Sequence, residues 1–191
     1  MNNFFKPVIL GISGFYVSKK EYFLFRKHKP IGYVIFTRNI ANLTQLKNLV
    51  SELRSINPEQ KTLIMIDHEG GRVNRFHNLF DQSHYSAKIF GNYYQTNKKL
   101  FNKEIKKFIN FNCNLFKYLG INLVAAPVLD LFYERKSDVI GNRAYSNKVE
   151  VVKDIANKII NLYYKKKFLL LESTFLGMAC LIKILIFFYP L

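Results

Sequence analysis

The sequence predicts an α/β protein built on a parallel sheet, and three observations lead there. Short apolar runs rich in β-branched and aromatic residues recur along the chain, and stretches of helical periodicity separate them. The polar residues able to do chemistry gather directly after the runs. Runs this apolar suit strands buried on both faces, and alternation with helices makes a parallel sheet of them. The 191 residues suffice for one domain with a real core.

Pro7 to Ile12 is the first run, and GYVIF, Gly32 to Phe36, is the second, followed by Thr37-Arg38-Asn39. A helix comes next, because Leu43, Leu46, Val50 and Leu53 fall on one stripe. Asn42 is its cap, with Gln45 at the reciprocal capping-box position. TLIMI, Thr62 to Ile66, is the third run and leads into Asp67 to Arg75. A second helix over 100–119 carries Ile105, Phe108, Ile109, Asn112 and Leu115 at a mostly helical period and stops at Gly120. INLVA, Ile121 to Ala125, is the fourth run, and Pro127 to Asp130 follow it. Val152, Ile155, Ile159 and Leu162 mark a last helix from Val149 to Tyr164. An open doubly wound sheet and a TIM barrel both satisfy this pattern, and both build sites at the carboxyl ends of strands. No Gly-rich phosphate fingerprint opens a helix after the first run, which argues against nucleotide binding.

A formal charge of +16 would suit a nucleic acid or an anionic membrane as partner. The basic residues are mostly lysines spread along the chain beside abundant Asn, Ile, Phe and Tyr, all of which have A/T-rich codons. A biased genome therefore explains the charge, and no nucleic-acid partner is expected. Lys98, Lys99, Lys103, Lys106 and Lys107 alternate with apolar residues at the spacing of an exposed helix face. Cys113 and Cys180 belong to no paired motif, so neither a disulfide framework, a metal site nor a cofactor is expected. The N-terminus lacks the layout of a signal peptide, and a reduced, cytoplasmic location fits.

The most informative stretch is DHEGGRVNRF, Asp67 to Phe76. A carboxylate, two glycines and two arginines at the end of a buried strand make a clamp for a polar ligand. Together with VIFTRN at 34–39, APVLDL at 126–131 and GNRAY at 141–145, it resembles the ordered motifs of glycoside hydrolase family 3, in particular its single-domain β-N-acetylglucosaminidases of the NagZ type. The resemblance covers roughly the first 165 residues. It implies the N-terminal part of a TIM (β/α)8 barrel and removal of terminal N-acetylglucosamine from peptidoglycan fragments, in cell-wall recycling. In that family the residues matching Asp67, Arg75 and Arg143 hold the sugar. The chemistry is sensible: a carboxylate accepts two hydroxyl protons, a guanidinium donates in a fixed fork, and Gly70-Gly71 let backbone approach closely. The plainer alternative is an internal salt bridge on the rim of the sheet. Where the family often has Gln this chain has His68, and a metalloprotease reading of His68-Glu69 fails for want of a second histidine at i+4. Asp130 is expected to order its own loop, with Arg38 and Arg72 supporting the site from behind.

The family's catalysis rests on a later carboxylate nucleophile and a His-Asp acid/base pair on a loop carrying KH[FI]PGHG, a departure from the usual two-carboxylate scheme. That motif is not in this sequence, and His28, His68, His77 and His84 lie too early to replace it. No catalytic residue is therefore expected here. From Lys165-Lys166-Lys167 onward the chain turns into an apolar run. Allowed codons for Glu172 to Ala179, read in another frame, spell KHIPGHG, and Lys183 to Ile186 permit the Asp-Ser-His that should follow. The expectation is a domain over 1–165, an out-of-frame tail over 166–191, and an inactive fragment. Four of eight barrel strands cannot close, which predicts exposed edges and an unburied apolar interior. Two other readings compete. One is a membrane-anchored sugar-binding module using Phe175 to Leu191, against which Lys183 near the middle of the span counts. The other is a basic nucleic-acid binder, for which no recognition motif stands.

Overall fold

A computed structural model describes residues 5–132 and 140–173. They form one five-stranded sheet with helices: β1 (Lys6–Gly11), α1 (Lys19–His28), β2 (Pro30–Ile35), α2 (Leu43–Ile56), β3 (Leu63–Ile66), α3 (Ala87–Thr96), α4 (Lys98–Leu119), β4 (Leu123–Val128), α5 (Val149–Lys165) and β5 (Leu169–Ser173). The strands lie in the order 1-2-3-4-5 and every pair is parallel. A doubly wound sheet must reverse its order at a switch point, and this one never does. The architecture is α/β, an incomplete TIM barrel.

The local chemistry explains the elements. Ser18 caps α1 in a capping box, its hydroxyl accepting from the Glu21 amide at 3.2 Å while Glu21 accepts from the Ser18 amide at 2.8 Å. Gly32 is required where β2 meets β3, since a Cβ there would lie 2.4 Å from the Leu63 carbonyl oxygen. Asn122 stitches β4 to β3, accepting from the Ile64 amide at 2.8 Å and donating to the Thr62 carbonyl at 3.2 Å. Gly120 ends α4 in the left-handed conformation, φ 79°.

The core lies between the sheet and the helix layer. α4 buries Ile105, Phe108, Ile109, Asn112 and Leu115, and α5 buries Val152, Ile155 and Ile159, as the helical spacing predicts. Lys98, Lys99, Lys103, Lys106 and Lys107 of α4 are exposed on its opposite face. Asn42 does cap α2, with its side chain accepting from the Gln45 amide at 2.9 Å. Gln45 does not reciprocate: its Oε1 takes the Ala41 amide and its Nε2 reaches the Phe15 and Asn39 carbonyls, tying loops rather than closing a box.

Three expectations change. The sheet has a fifth strand, β5, within the stretch expected to be tail, paired with β4 from Leu123↔Leu169 onward. α1 and α3 carry no helix expectation in the sequence reading, and both form. Burial on both faces holds for β4 alone, because Val34 and Met65 are partly exposed and Val8 is 42% exposed. The apolar face opposite the helices is thus incompletely covered. No helix among the described residues is long and apolar enough to cross a membrane, and Phe175 to Leu191 and Cys180 lie outside the described residues.

Candidate functional site

β3 alternates cleanly into the site. Ile64, Ile66 and His68 are buried toward the helices, whereas Met65, Asp67 and Glu69 are partly exposed on the other face. Extended backbone thus sends two carboxylates to one side of the chain and one imidazole between them to the other, into the core.

Each carboxylate holds an arginine. Arg75 donates from Nε to the Asp67 carbonyl at 2.7 Å and from Nη2 to Asp67 Oδ2, so it grips main chain and side chain of one residue together. Asp67 Oδ1 is buried and has no hydrogen-bond partner among the described residues. Arg143 meets Glu69 in a fork, Nε to Oε2 at 2.8 Å and Nη2 to Oε1 at 2.6 Å, with the Glu69 side chain only 5% exposed. That bond, with the charges of Asp67 and Asp130 nearby, holds the Arg143 guanidinium even further above its ordinary pKa. The three sugar-site residues expected from sequence divide, therefore: Asp67 and Arg75 are one unit, and Arg143 joins the same rim through Glu69. The ion pairs of the plainer alternative are present, and they leave one acceptor spare.

The glycines are required by packing within the chain. At Gly70, φ 81°, a Cβ would meet the Tyr85 carbonyl oxygen at 2.5 Å, and at Gly71, φ 57°, the Ser86 Cβ at 2.7 Å. What approaches them in this structure is the chain's own loop before α3. The Gly71 amide donates to the Gln82 carbonyl at 3.0 Å and completes that contact. Gly91 of α3 touches the backbone after Arg143, where a Cβ would stand 1.7 Å from the Tyr145 carbonyl oxygen. Helix α3 therefore fixes the height of the Arg143 loop.

At the end of β2, the Phe36 ring meets two guanidiniums, with Arg38 Cζ 4.7 Å and Arg75 Cζ 5.3 Å from its centroid. Arg38 donates to the Ile12 carbonyl at 2.9 Å and Arg72 to the Ile140 carbonyl at 3.1 Å, so both support neighbouring loops. Asn39, fully buried, donates to the Ile12 and Gly14 carbonyls at 3.0 and 2.8 Å and accepts from the Phe36 amide at 2.9 Å. Beneath the clamp a cavity of about 20 Å³, lined by His68, Glu69, Phe108, Val128 and Tyr145, is the size of one water.

His68 itself is buried, its Nε2 2.6 Å from Gln82 Oε1 and its Nδ1 accepting from the Arg75 amide at 3.2 Å. Burial, with the charge of Arg75, pushes its pKa down to about 4. Gln82 passes the chain on to Asn112 Oδ1 at 3.0 Å. Glu69, Gln82 and Asn112 were missed as parts of the site. The one visible signal was Asn112, a polar residue on an otherwise apolar helical stripe.

The model of the glycosyl hydrolase family 3 N terminal domain matches residues 17–173. The beta-hexosaminidase of Thioalkalivibrio sulfidiphilus is 34% identical over 152 residues, 79% of this chain and 43% of that protein. That of Chromobacterium violaceum is 33% identical over 155 residues, 80% of this chain and 42% of that protein. The chain thus spans less than half the length of these curated relatives. Among solved structures, NagZ from Neisseria gonorrhoeae in complex with N-trifluoroacetyl-D-glucosamine superposes with a TM-score of 0.78 at 27% identity, covering 91% of this chain and 51% of that one. A glycoside hydrolase family 3 beta-N-acetylglucosaminidase from Paenibacillus gives a TM-score of 0.72 at 25% identity, over 87% of this chain and 31% of that one. With ordered motifs at the carboxyl ends of β2, β3 and β4 and a family match across most of its length, the chain belongs to glycosyl hydrolase family 3 and carries that family's N-terminal domain.

Proposed function

We propose that Asp67, Arg75 and Arg143 hold the terminal N-acetylglucosamine of a peptidoglycan fragment, as the substrate-holding part of a β-N-acetylhexosaminidase working in the cytoplasm. The observation that carries this reading is Asp67 Oδ1. Buried acceptors are normally bonded, and this one has no donor among the described residues while its twin is locked by Arg75. A sugar hydroxyl is the donor it lacks. A rigid carboxylate beside a guanidinium then reads two neighbouring hydroxyls at once, and the spread of Arg143 across the rim adds a third contact.

Titration of the purified chain with N-acetylglucosamine tests this. Saturable binding is expected, weakened about tenfold or more in Asp67→Asn, since a charge-assisted bond contributes about 1.5–3 kcal/mol. Equal affinity in Asp67→Asn and the unaltered chain would overturn the assignment. In this reading the family match and β5 carry the native frame up to the start of the motif, the sequence from Glu172 onward descends from a shifted frame, and no catalysis is attributed to the groups described. DNA sequence under Glu172 to Ala179 that does not spell KHIPGHG in a second frame would refute the shift.

A further inference from the structure

The polarity of the buried chain behind the clamp is set by one fixed donor. A backbone N–H can only donate, so the Arg75 amide makes His68 Nδ1 an acceptor. A neutral ring then carries its proton on Nε2 and donates it to the side-chain oxygen Oε1 of Gln82 at 2.6 Å. The Gln82 amide group must in turn donate to Asn112 Oδ1 at 3.0 Å. Reversing the chain would set two N–H groups head to head at Nδ1. The ring is also boxed in sterically: Phe108 stacks on it at 6.3 Å between centroids, and Phe76 and Phe116 meet it edge-on at 5.4 and 5.9 Å. His68 therefore joins α4 and the Gln82 loop to the residue whose side chain grips Asp67.

We infer that His68 is a positioning residue, holding the Arg75 backbone from within the core so that the Arg75 guanidinium stays on Asp67. Its effect on sugar binding rests on the clamp reading above, but its effect on Arg75 does not. The position needs an acceptor at one end and a donor at the other, which a glutamine also offers and a phenylalanine does not. Phenylalanine would keep the aromatic packing and lose both hydrogen bonds. Residues of the clamp itself are left untouched by these changes.

The test is by NMR on the full chain. In the unaltered protein, a coupling across the hydrogen bond between the Arg75 amide nitrogen and His68 Nδ1 is expected, with the His68 proton on Nε2. A proton on Nδ1 would overturn the inference outright, whether or not any variant folds. In His68→Phe the Arg75 amide should exchange about tenfold faster and its Nε–H signal should broaden, and His68→Gln should restore both. An unchanged Arg75 Nε–H in His68→Phe, or no restoration by His68→Gln, would also overturn it. N-acetylglucosamine titrated into the same three proteins separates the two ideas. If none binds sugar while Arg75 responds as stated, the sugar reading fails and the positioning role stands.

Discussion

Replacing Gly91 by alanine sets two effects of opposite sign against each other. Gly91 lies inside α3, where alanine gains about 1 kcal/mol of helix propensity. Its new Cβ, however, would stand 1.7 Å from the Tyr145 carbonyl oxygen, against the 3.0 Å that real Cβ atoms respect, so backbone must move by at least the missing 1.3 Å. Overpacking of this kind costs about 1–3 kcal/mol. Arg143 is two residues from the collision, and a displaced fork strands the nearly buried Glu69 carboxylate. Losing a partner of a buried pair costs on the order of 3–5 kcal/mol, less for the part of Arg143 that water can reach. The clash therefore outweighs the propensity gain, and Gly91→Ala should be destabilised by about 2–4 kcal/mol, a fall of roughly 5–12 °C in Tm for a chain this long. The control is Asn92→Ala, an exposed neighbour where only helix propensity acts. Thermal melts followed by circular dichroism decide the matter. A Gly91→Ala melt equal to that of Asn92→Ala would show that the Arg143 loop does not rest on α3.

Other outcomes follow from the same geometry. The folded pKa of His68, about 4, lies below its ordinary 6.5, so its contribution is complete above pH 6.5 and is lost as pH falls toward 4. The loss is on the order of 3 kcal/mol, and chemical denaturation at several pH values should show that slope disappear in His68→Gln. Gly70→Ala forces a side chain onto φ 81° and against the Tyr85 carbonyl, and denaturant titration should show a loss of about 2–4 kcal/mol. Asn39→Ala removes three hydrogen bonds of a fully buried side chain at about 1 kcal/mol each, with a similar loss by the same measurement. Burial pushes the Cys113 thiol up to about 11, so it should react with a thiol reagent only as fast as the protein unfolds.

Fold class, sheet direction and the stripes of α2, α4 and α5 were legible because their signals are local and periodic. α3 was not, since AKIFGNYYQT mixes aromatics with Gly91 and Asn92, and its helix is held by packing on α4 and on the Arg143 loop rather than by propensity. β5 was hidden by its position in the apolar tail, where no polar site residue marks a strand end. Asp67 and Arg75 could be paired from one short motif, eight residues apart. The Glu69–Arg143 fork spans 74 residues and the Gln82–Asn112 bond 30, and neither separation leaves a trace in single-sequence periodicity.

The period of two at the end of β3 makes the reading register of this segment unforgiving. Asp67, His68 and Glu69 serve two different compartments on consecutive Cα atoms, so their order cannot be edited by insertion. One extra residue within Leu63–Ile66 would turn the imidazole out to solvent and drive both carboxylates among Phe76, Phe108 and Phe116. Single-residue length changes should therefore be absent from this strand in functional descendants, while substitutions at Met65, on the open face, remain free to drift.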